Sequence, residues 1–451
     1  MAEDILGNEV TGANGETLKG INDFITGFLG YKNCATNVLK CADDDGECVV
    51  ANTYAGMIWM FLEANEAPQK ADKYLRAAQK NAHLVSLREQ MMVQVLAHWV
   101  ANDMEHALAV GEEIARKFPR DLTSVKLNNY FSFNRGDSPS MLRVGKLVAA
   151  ENQHNAHYHG MMAFAYEQCH LLDKAEKSAR RSLELNNDEP WAQHAIAHVM
   201  LTQGRIPEGA KFMKQSSRSW VDLNSFMFTH NWWHTALFDL SLGDYQAVFD
   251  AYDGKIWGIE KDYSQDQIGA VAMLARMEIA GLDVGNRWED VAKHLRARAQ
   301  DVVQPFLTIQ YLYGLARAEL SEADQLMAAV EDKAVHAEAF ERHAWQNVAL
   351  PACKGVLALA RGDAKGAISN LEMALPRMAA IGGSHAQRDL FEQLLLDAHM
   401  KSGNWGIAQQ MMEMRRTFDP DGVPLNNMLA GVYDKLELPE EAKEARARQY
   451  A

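Results

Sequence analysis

One small residue recurs along this chain at a nearly constant step. In the first half the step is 36, 34, 34 and 34 residues, and near the end Ala408 and Ala442 are again 34 apart. The positions in the first half are Ala71, Ala107, Met141, Ala175 and Gly209. A fixed period of this length indicates an array of small units, each of which must stack on its neighbours to bury an apolar face.

Each unit is predicted to be a pair of helices joined by a tight turn. Two clear turn motifs of the form Gly-(Asp/Asn)-x-x-x-Ala are Gly362–Ala367 and Gly403–Ala408. The second helix ends near a proline twelve residues after the small residue, as from Ala408 to Pro420. This combination resembles the tetratricopeptide repeat, a helix-turn-helix unit of about 34 residues.

The fold predicted from this period is all-α, a right-handed α-solenoid of tetratricopeptide-like helix hairpins with a concave surface. About eight repeats are recognisable and two to four are degenerate. We expect one superhelical domain over residues 1–451, divided into four parts. These are an N-terminal cap at 1–48, regular repeats at 49–250, degenerate helical repeats at 251–345 and C-terminal repeats at 346–451.

The composition limits the partners and the compartment. With 45 Lys and Arg against 60 Asp and Glu, the net charge of −15 disfavours nucleic acid and anionic membranes as partners. The acidic start, Met1–Gly20, has no apolar stretch of the kind found in a secretory signal. Five cysteines without a Cys-x-x-Cys pair fit a reducing compartment, so we expect a cytoplasmic protein, and we interpret the evenly spaced Cys34, Cys41 and Cys48 as incidental.

Histidines cluster in the middle of the chain. Of the 16 in the sequence, seven lie between Glu151 and His234 if His170 is set aside. They are His154, His157, His159, His194, His198, His230 and His234. The resemblance to tetratricopeptide repeats implies that positions 2, 5, 9, 12 and 13 of a unit line the concave face. A cluster that falls on these positions would form a pocket.

The repeat register can be read by numbering the small residue as position 20. His157 and His230 then fall at position 2, His194 and His198 at positions 5 and 9, and Trp233 at position 5. Four histidines from three consecutive repeats are thus predicted to point into one groove.

The spacing of these histidines suggests metal chemistry. His194 and His198 are four residues apart, so their imidazoles can share a metal on one helix face. His230 and His234 repeat the spacing, although His234 falls at position 6, nearer the packed side. Such a pocket can hold a divalent metal, act as a general base near neutral pH, or bind an acidic ligand when protonated. The alternative, that these are packing histidines bonded to nearby carbonyls, stays open.

A second polar group follows a Gly-Gly break. Ser384 is predicted to cap a helix whose first turn holds His385, Gln387, Arg388 and Asp389, and the free amides there could hold an anion. Arg388 and Asp389 can equally be members of an ion-pair network between helices. The sequence contains no phosphate loop, dinucleotide fingerprint or His-Glu-x-x-His motif.

Several longer motifs, in order through most of the chain, resemble the tetratricopeptide repeat protein 38 family. They are Asp188–Val199, His230–Leu237, Gly285–Val291 and Gly382–Phe391. The resemblance implies a helical repeat protein with no biochemical activity to transfer, and it singles out the motif positions His194, His198, His230, His234, Gln387, Arg388 and Asp389. Leu307–Gln310 departs from the expected Asn-Asp-x-His segment, which removes an acid and a histidine from any shared polar centre.

Two hypotheses of function remain. In the first, the groove binds a peptide, a partner protein or a small ligand. Its ligand-binding candidates are His157, His194, His198, His230, Trp233, His234, Gln387 and Arg388. In the second, the chain is a hydrolase, metal-assisted or not. Its catalytic candidates are His194, His198, His230, Arg388 and Asp389. The sequence establishes no cofactor. A divalent metal held by His194, His198 and His230 belongs to the second hypothesis, whereas in the first the histidines are packing or ligand contacts. The oligomeric state and the question of enzymatic activity stay open.

Overall fold

The computed structural model describes residues 2–450, and most of this length is helical. Two short strands, β1 (Ala2–Glu3) and β2 (Glu9–Val10), pair antiparallel near the start of the chain. Helices that follow each other across tight turns pack together as hairpins. The predicted all-α fold of tetratricopeptide-like helix hairpins is therefore confirmed.

The chain divides into two compact units. The first comprises residues 1–195 and 219–227, and the second comprises residues 196–218 and 228–451. Two helices that bear the central histidines, Pro190–Thr202 and Ser225–Ser241, contribute residues to both units. The prediction of one continuous domain with four parts stays a prediction.

The first unit is built from helix pairs around one apolar core. Its helices are α1 (Gly15–Gly30), α2 (Asn37–Asp44), α3 (Val49–Met60), α4 (Ala67–Asn81), α5 (Leu87–Val100), α6 (Met104–Lys117), α7 (Leu122–Asn134), α8 (Ser138–Leu147), α9 (Ala149–Asn152), α10 (Ala156–Gln168) and α11 (Leu172–Leu185), with the start of α12 (Pro190–Thr202). Short 3-10 turns cover Asn33–Thr36 and Ala82–Leu84.

The second unit continues the helix pairs after α12. Its helices are α13 (Ile206–Ser216), α14 (Ser225–Ser241), α15 (Tyr245–Ala251), α16 (Ser264–Ile279), α17 (Arg287–Leu295), α18 (Pro305–Arg317), α19 (Glu322–His336), α20 (Arg342–Ala344), α21 (Leu350–Ala360), α22 (Ala364–Ala374), α23 (His385–Lys401), α24 (Trp405–Arg415), α25 (Val423–Lys435) and α26 (Pro439–Ala447). Further 3-10 turns cover Ser217–Ser219, Arg296–Arg298 and Leu375–Ile381.

The periodic small residue has the same structural place in nearly every repeat. It is the fourth residue of the second helix of a pair, and it is buried. The residues are the small Ala107, Ala175, Gly209, Ala367, Ala408 and Ala442, together with Met141, which is the one large side chain among them. A Cβ at Gly209 would overlap the ring of Phe238, on α14. At Gly209 the small residue is therefore required because α13 closely approaches the first helix of the next repeat.

A second glycine in the first unit also faces a large side chain. A Cβ at Gly145, on α8, would overlap the sulfur of Met162, on α10. Small and large residues from neighbouring repeats thus occupy complementary places, as close packing of helices requires.

The N-terminal strands are held to the first unit by polar contacts. Arg88, which is buried, donates to the backbone carbonyl of Glu9 over 2.8 Å and pairs with Asp121 over 2.8 Å. The backbone N–H and the hydroxyl of Thr11 donate to the Glu89 carboxylate over 2.8 and 2.7 Å. These bonds satisfy buried charges and fix the start of the chain.

Two π-helical turns interrupt the second unit, at Tyr252–Ile256 and Trp345–Ala349. Each adds a residue to a helical turn and so shifts the apolar pattern out of the 3.6-residue period. They lie at the two ends of the region, residues 251–345, in which the repeat register is weak. No helix within residues 2–450 is long and apolar enough to span a bilayer.

Candidate functional site

Helices α12 and α14 position the central histidines. Each is the first helix of a hairpin, α12 before α13 and α14 before α15. At the start of α12 the Glu189 carboxylate accepts a hydrogen bond from the backbone N–H of Ala192 over 2.6 Å, which caps the helix. Residues four apart on either helix lie on one face, so the two His-x-x-x-His pairs present their rings on one face each.

Three histidines of the second unit come together where α12 and α14 meet. The ring centres of His198 and His234 are 4.5 Å apart, and those of His230 and His234 are 4.8 Å apart. His194 lies one turn before His198 on α12. The structure thus brings together His198, His230 and His234 within the second unit.

These histidines are in a low-dielectric environment. His194, His198 and His234 are at most 1% exposed, and His230 is of intermediate burial. Burial, with a smaller effect from the charge of His198, lowers the pKa of His230 to about 3. His230 is therefore neutral near pH 7, and a neutral imidazole is the form that binds metal ions. The interpretation of this residue as a protonated receptor for an acidic ligand is correspondingly disfavoured.

Trp233 and Arg276 extend the centre in the second unit. The Trp233 ring stacks on His230 with ring centres 5.6 Å apart, and its edge meets His234 at 5.0 Å. The guanidinium of Arg276, on α16, lies 5.1 Å from the Trp233 ring centre. Arg276 is 2% exposed and donates to the carbonyls of Ala272 over 3.1 Å and Ala386 over 2.8 Å. Burial lowers the pKa of Arg276 to about 10, so it stays charged at neutral pH.

Sequence reasoning did not identify Arg276. The only sign in the sequence is a single arginine within the apolar run Gly269–Met277. A charged residue placed in a buried helix is costly unless it has a structural or binding role. Because Arg276 and Trp233 are more than 40 residues apart along the chain, no local sequence pattern predicts their contact.

His157, predicted to share the groove, lies in the first unit at the start of α10. Its Nδ1 is 3.2 Å from a carboxylate oxygen of Glu189. Glu189 is fully buried and uses its other oxygen to cap α12. His157 is thus held by the residue that begins α12.

The ring of His194 stacks on Trp191, with centres 4.4 Å apart, and lies 5.5 Å from that of Phe164. All three residues belong to the first unit. The aromatic contacts fix the orientation of the imidazole at the middle of α12.

The Gly-Gly segment forms a tight turn before α23. Ser384 and Gln387 cap each other's backbone N–H groups over 3.3 and 2.9 Å, which confirms the predicted N-cap. Gly383 has φ +75°, and a Cβ there would overlap Phe306. Arg388 points back and donates to the carbonyls of Gly383 and Gly382.

Asp389 pairs across to the next helix. Its two carboxylate oxygens accept from Arg415, on α24, over 2.6 and 3.1 Å. Burial alone raises the pKa of Asp389, but the Arg415 and Arg276 charges outweigh it and hold the pKa below its ordinary value. The contacts of Asp389 are those of an ion pair between helices, whereas the Arg388 side chain bonds to backbone of its own turn.

Comparison with known proteins gives little beyond these observations. No family model matches the chain. Similar solved structures include the human IFIT1 dimer with m7Gppp-AAAA, at 12% identity over 98% of this chain and 95% of that chain, with a TM-score of 0.39. Naa15/Naa10 bound to HypK-THB shares 12% identity over 95% and 67% of the two chains, with a TM-score of 0.25.

A third match is the APC/C hetero-tetramer Cut9-Hcn1, at 11% identity over 95% of this chain and 92% of that chain, with a TM-score of 0.27. Likenesses this distant give no information on what the present chain binds. The helix hairpins and the histidine cluster themselves define the class, a tetratricopeptide-like helical repeat protein with a buried group of imidazoles.

Proposed function

We propose that this chain is a tetratricopeptide-like binding protein that holds a divalent metal at its central histidines and binds its ligand there. The supporting observation is the approach of the His198 and His230 rings to that of His234, with ring centres 4.5 and 4.8 Å apart. Under this proposal His198, His230 and His234 are metal ligands, and His194 is the candidate for a fourth. The resemblance to the tetratricopeptide repeat protein 38 family, in which these positions belong to the motifs, stays a prediction and implies no metal-binding role of its own.

The distances suit a metal after small side-chain movements. Zinc binds imidazole nitrogen at about 2.0 to 2.1 Å, so tetrahedral ligands lie about 3.4 Å apart. Imidazole is a favourable ligand for Zn²⁺, Cu²⁺, Ni²⁺ and Fe²⁺. Because burial keeps His230 neutral, no proton has to be displaced from it at pH 7.

The number of histidine ligands distinguishes the two hypotheses of function. Three histidines leave a position open for an exogenous ligand or a water molecule, whereas four close a tetrahedral site and make it structural. An open position would support binding of a peptide, a partner protein or a small molecule in the predicted groove. It would equally serve the hydrolase alternative, in which the metal activates water.

Arg276 favours a ligand with an anionic group. Among the described residues, no carboxylate forms an ion pair with this buried guanidinium. The charge of Asp389 raises the pKa of Arg276, but both carboxylate oxygens of Asp389 already accept hydrogen bonds from Arg415. A carboxylate or phosphate on the metal could use the unmatched positive charge beside Trp233.

The metal content of protein purified without an affinity tag or chelator tests the proposal. We expect the double variant His198→Ala/His234→Ala to hold about one equivalent less than the unmodified chain, and the control His336→Ala/His343→Ala, whose histidines are exposed, to hold as much as the unmodified chain. The visible spectrum of the unmodified chain loaded with Co²⁺ gives a second readout that needs no variant. The proposal would be overturned if the unmodified chain held no bound metal at the central histidines after purification and also failed to show the absorption bands of four-coordinate Co²⁺.

A further inference from the structure

We propose a second metal site, in the first unit, formed by His98, Asp103 and His106 and suited to a divalent first-row transition metal such as Zn²⁺. His98 is in the last turn of α5, Asp103 is in the connecting turn, and His106 is in the first turn of α6. The three residues therefore bracket one helix-to-helix turn. This proposal does not depend on the central histidines.

The carboxylate of Asp103 stands between the two imidazoles. The Nδ1 of His98 is 2.9 Å from one of its oxygens, and the Nδ1 of His106 is 2.8 Å from the other. The two rings stack with centres 5.3 Å apart and planes 21° apart. One ligand atom from each of the three residues lies within 4.8 Å of the others.

The backbone holds these groups in place. The N–H of Asp103 donates to the carbonyl of His98 over 2.8 Å, and Asn102 adopts φ +56°, in the left-handed region. This is the hydrogen-bonding pattern of a Schellman helix end, which fixes the direction of the chain between α5 and α6. A ligand set on a fixed turn loses little conformational entropy when a metal binds.

The geometry is close to that of a coordinated metal. With bonds of about 2.1 Å, ligand atoms around a metal lie about 3.0 Å apart in an octahedral site and about 3.4 Å apart in a tetrahedral one. The nitrogen-to-oxygen distances of 2.8 and 2.9 Å run to different oxygens of Asp103, and the ligand atoms of all three residues lie within 4.8 Å, so the side chains need only small rotations to converge on one ion. On binding, each ring gives its Nδ1 proton either to solvent or to its own Nε2, and the metal takes the place of that proton.

The donors suit a transition metal that keeps bound water. Two imidazoles and one carboxylate form a ligand set used by Zn²⁺ and by non-haem Fe²⁺, with the remaining positions open. The side chains of His98, Asp103 and His106 are 32%, 39% and 71% exposed, so solvent and metal reach them directly. The net charge of −15 raises the local cation concentration around the chain.

The next repeat shows that the turn needs no histidine. Exactly one 34-residue step later, Asp137 caps α8 and its N–H donates to the carbonyl of Ser132 over 2.9 Å. The residues equivalent to the two histidines are Ser132 and Ser140. There the Asp137 carboxylate accepts from the backbone N–H of Ser140 over 3.1 Å and from its hydroxyl over 2.6 Å, so this turn is closed without either histidine.

Calorimetric titration of the tag-free full chain with ZnCl₂ tests the site. In the His198→Ala/His234→Ala background we expect one remaining equivalent, and we expect at least a ~10-fold loss of its affinity in His106→Ala, His98→Ala and Asp103→Asn. The last variant is informative because Asn caps a helix as well as Asp does, so the turn is kept while the charge is removed. Asp137→Asn is the matched control and should bind as the background does.

The same titrations can overturn the proposal. Equal binding by the three ligand variants and the control would assign the zinc to other groups, and the absence of a remaining equivalent would exclude the site. If the background variant does not fold, as judged by circular dichroism, the wild type and His106→Ala are compared directly. If His106→Ala binds one equivalent of zinc fewer than the wild type, the site is supported. If the two bind the same number of equivalents, the proposal is overturned, and this holds whether or not the central histidines bind zinc.

Discussion

The guanidinium of Arg276 lies 5.1 Å from the ring centre of Trp233, which itself stacks on His230. Two side chains, Trp233 and His230, therefore lie between the positive charge of Arg276 and the proposed metal. A cation over an aromatic face is stabilised by the ring quadrupole, which offsets part of the cost of its burial. Trp233 thus contacts both histidines of α14 and the buried arginine of α16.

Arg276 and Arg415, both in the second unit, should respond differently to removal. Arg415→Met leaves Asp389 without its bidentate partner and should lower the free energy of unfolding by about 2 kcal/mol. Arg276→Met removes a cation that forms no ion pair within the described residues, so its cost should be smaller, about 1 kcal/mol. Urea unfolding of both variants measures this. A larger loss for Arg276→Met would contradict the assignment of Arg276 to ligand binding.

Whether His194 coordinates the proposed metal decides how many protein ligands the metal has. If it is the fourth ligand, His194→Ala should weaken metal binding by at least ~10-fold and leave a water on the metal. If three ligands suffice, the variant should retain its equivalent of metal. The measurement is the metal content after dialysis, together with the Co²⁺ spectrum, which shifts when a nitrogen ligand is replaced by water.

Close packing between repeats can be tested with two glycines. Gly209→Ala places a Cβ against Phe238 and should lower the free energy of unfolding by about 1 to 3 kcal/mol. Gly431→Ala is the matched control, because it lies in helix α25 with no atom within 4 Å of the added Cβ. That control should stabilise the chain by about 0.5 to 1 kcal/mol. Equal effects in thermal unfolding would show that the helices do not meet at Gly209.

Acid should weaken the first unit through Asp121. Burial on its own raises the pKa of Asp121, but the charge of Arg88 and hydrogen bonds from Thr123 and Ser124 lower it below its ordinary value. The folded chain thus binds this proton less readily than the unfolded chain. The stabilisation is fully present above the unfolded pKa of about 3.9 and is lost as the pH falls through the folded value.

Asp121→Asn should remove this part of the acid dependence and cost about 3 kcal/mol at pH 7, because Arg88 is left buried without its partner. Urea unfolding between about pH 2 and pH 7 follows both effects. Asp137→Asn, at an exposed cap, is the control expected to keep the wild-type slope. Parallel pH profiles for wild type and Asp121→Asn would refute the linkage.

The repeat register could be predicted from the sequence because it depends on contacts close along the chain. A small residue recurs near the start of the second helix in most units, as at Ala175 and Gly209, where helices pack closely. The register was weaker in residues 251–345, where π-helical turns such as Tyr252–Ile256 insert an extra residue. A search for a constant period cannot anticipate such an insertion.

The candidate site could be predicted in part. The i, i+4 spacing identifies His194 with His198 and His230 with His234, since both pairs lie on regular helices. The repeat numbering placed His234 nearer the packed side, yet its ring lies 4.5 Å from that of His198. In a stack of hairpins the packed side of one helix faces its neighbour, so a residue there can meet a groove residue of the preceding repeat.

The complementary pairs of small and large residues also have a consequence for protein engineering. The absence of a side chain at Gly145 leaves room for Met162, and its absence at Gly209 leaves room for Phe238. Each of these repeats therefore fits the repeat that follows it. Consensus repeat arrays can be lengthened or reordered because all their junctions are alike. In this chain a repeat moved to a new position, or a consensus repeat inserted between two others, would need its neighbour's facing side chain to be exchanged with it.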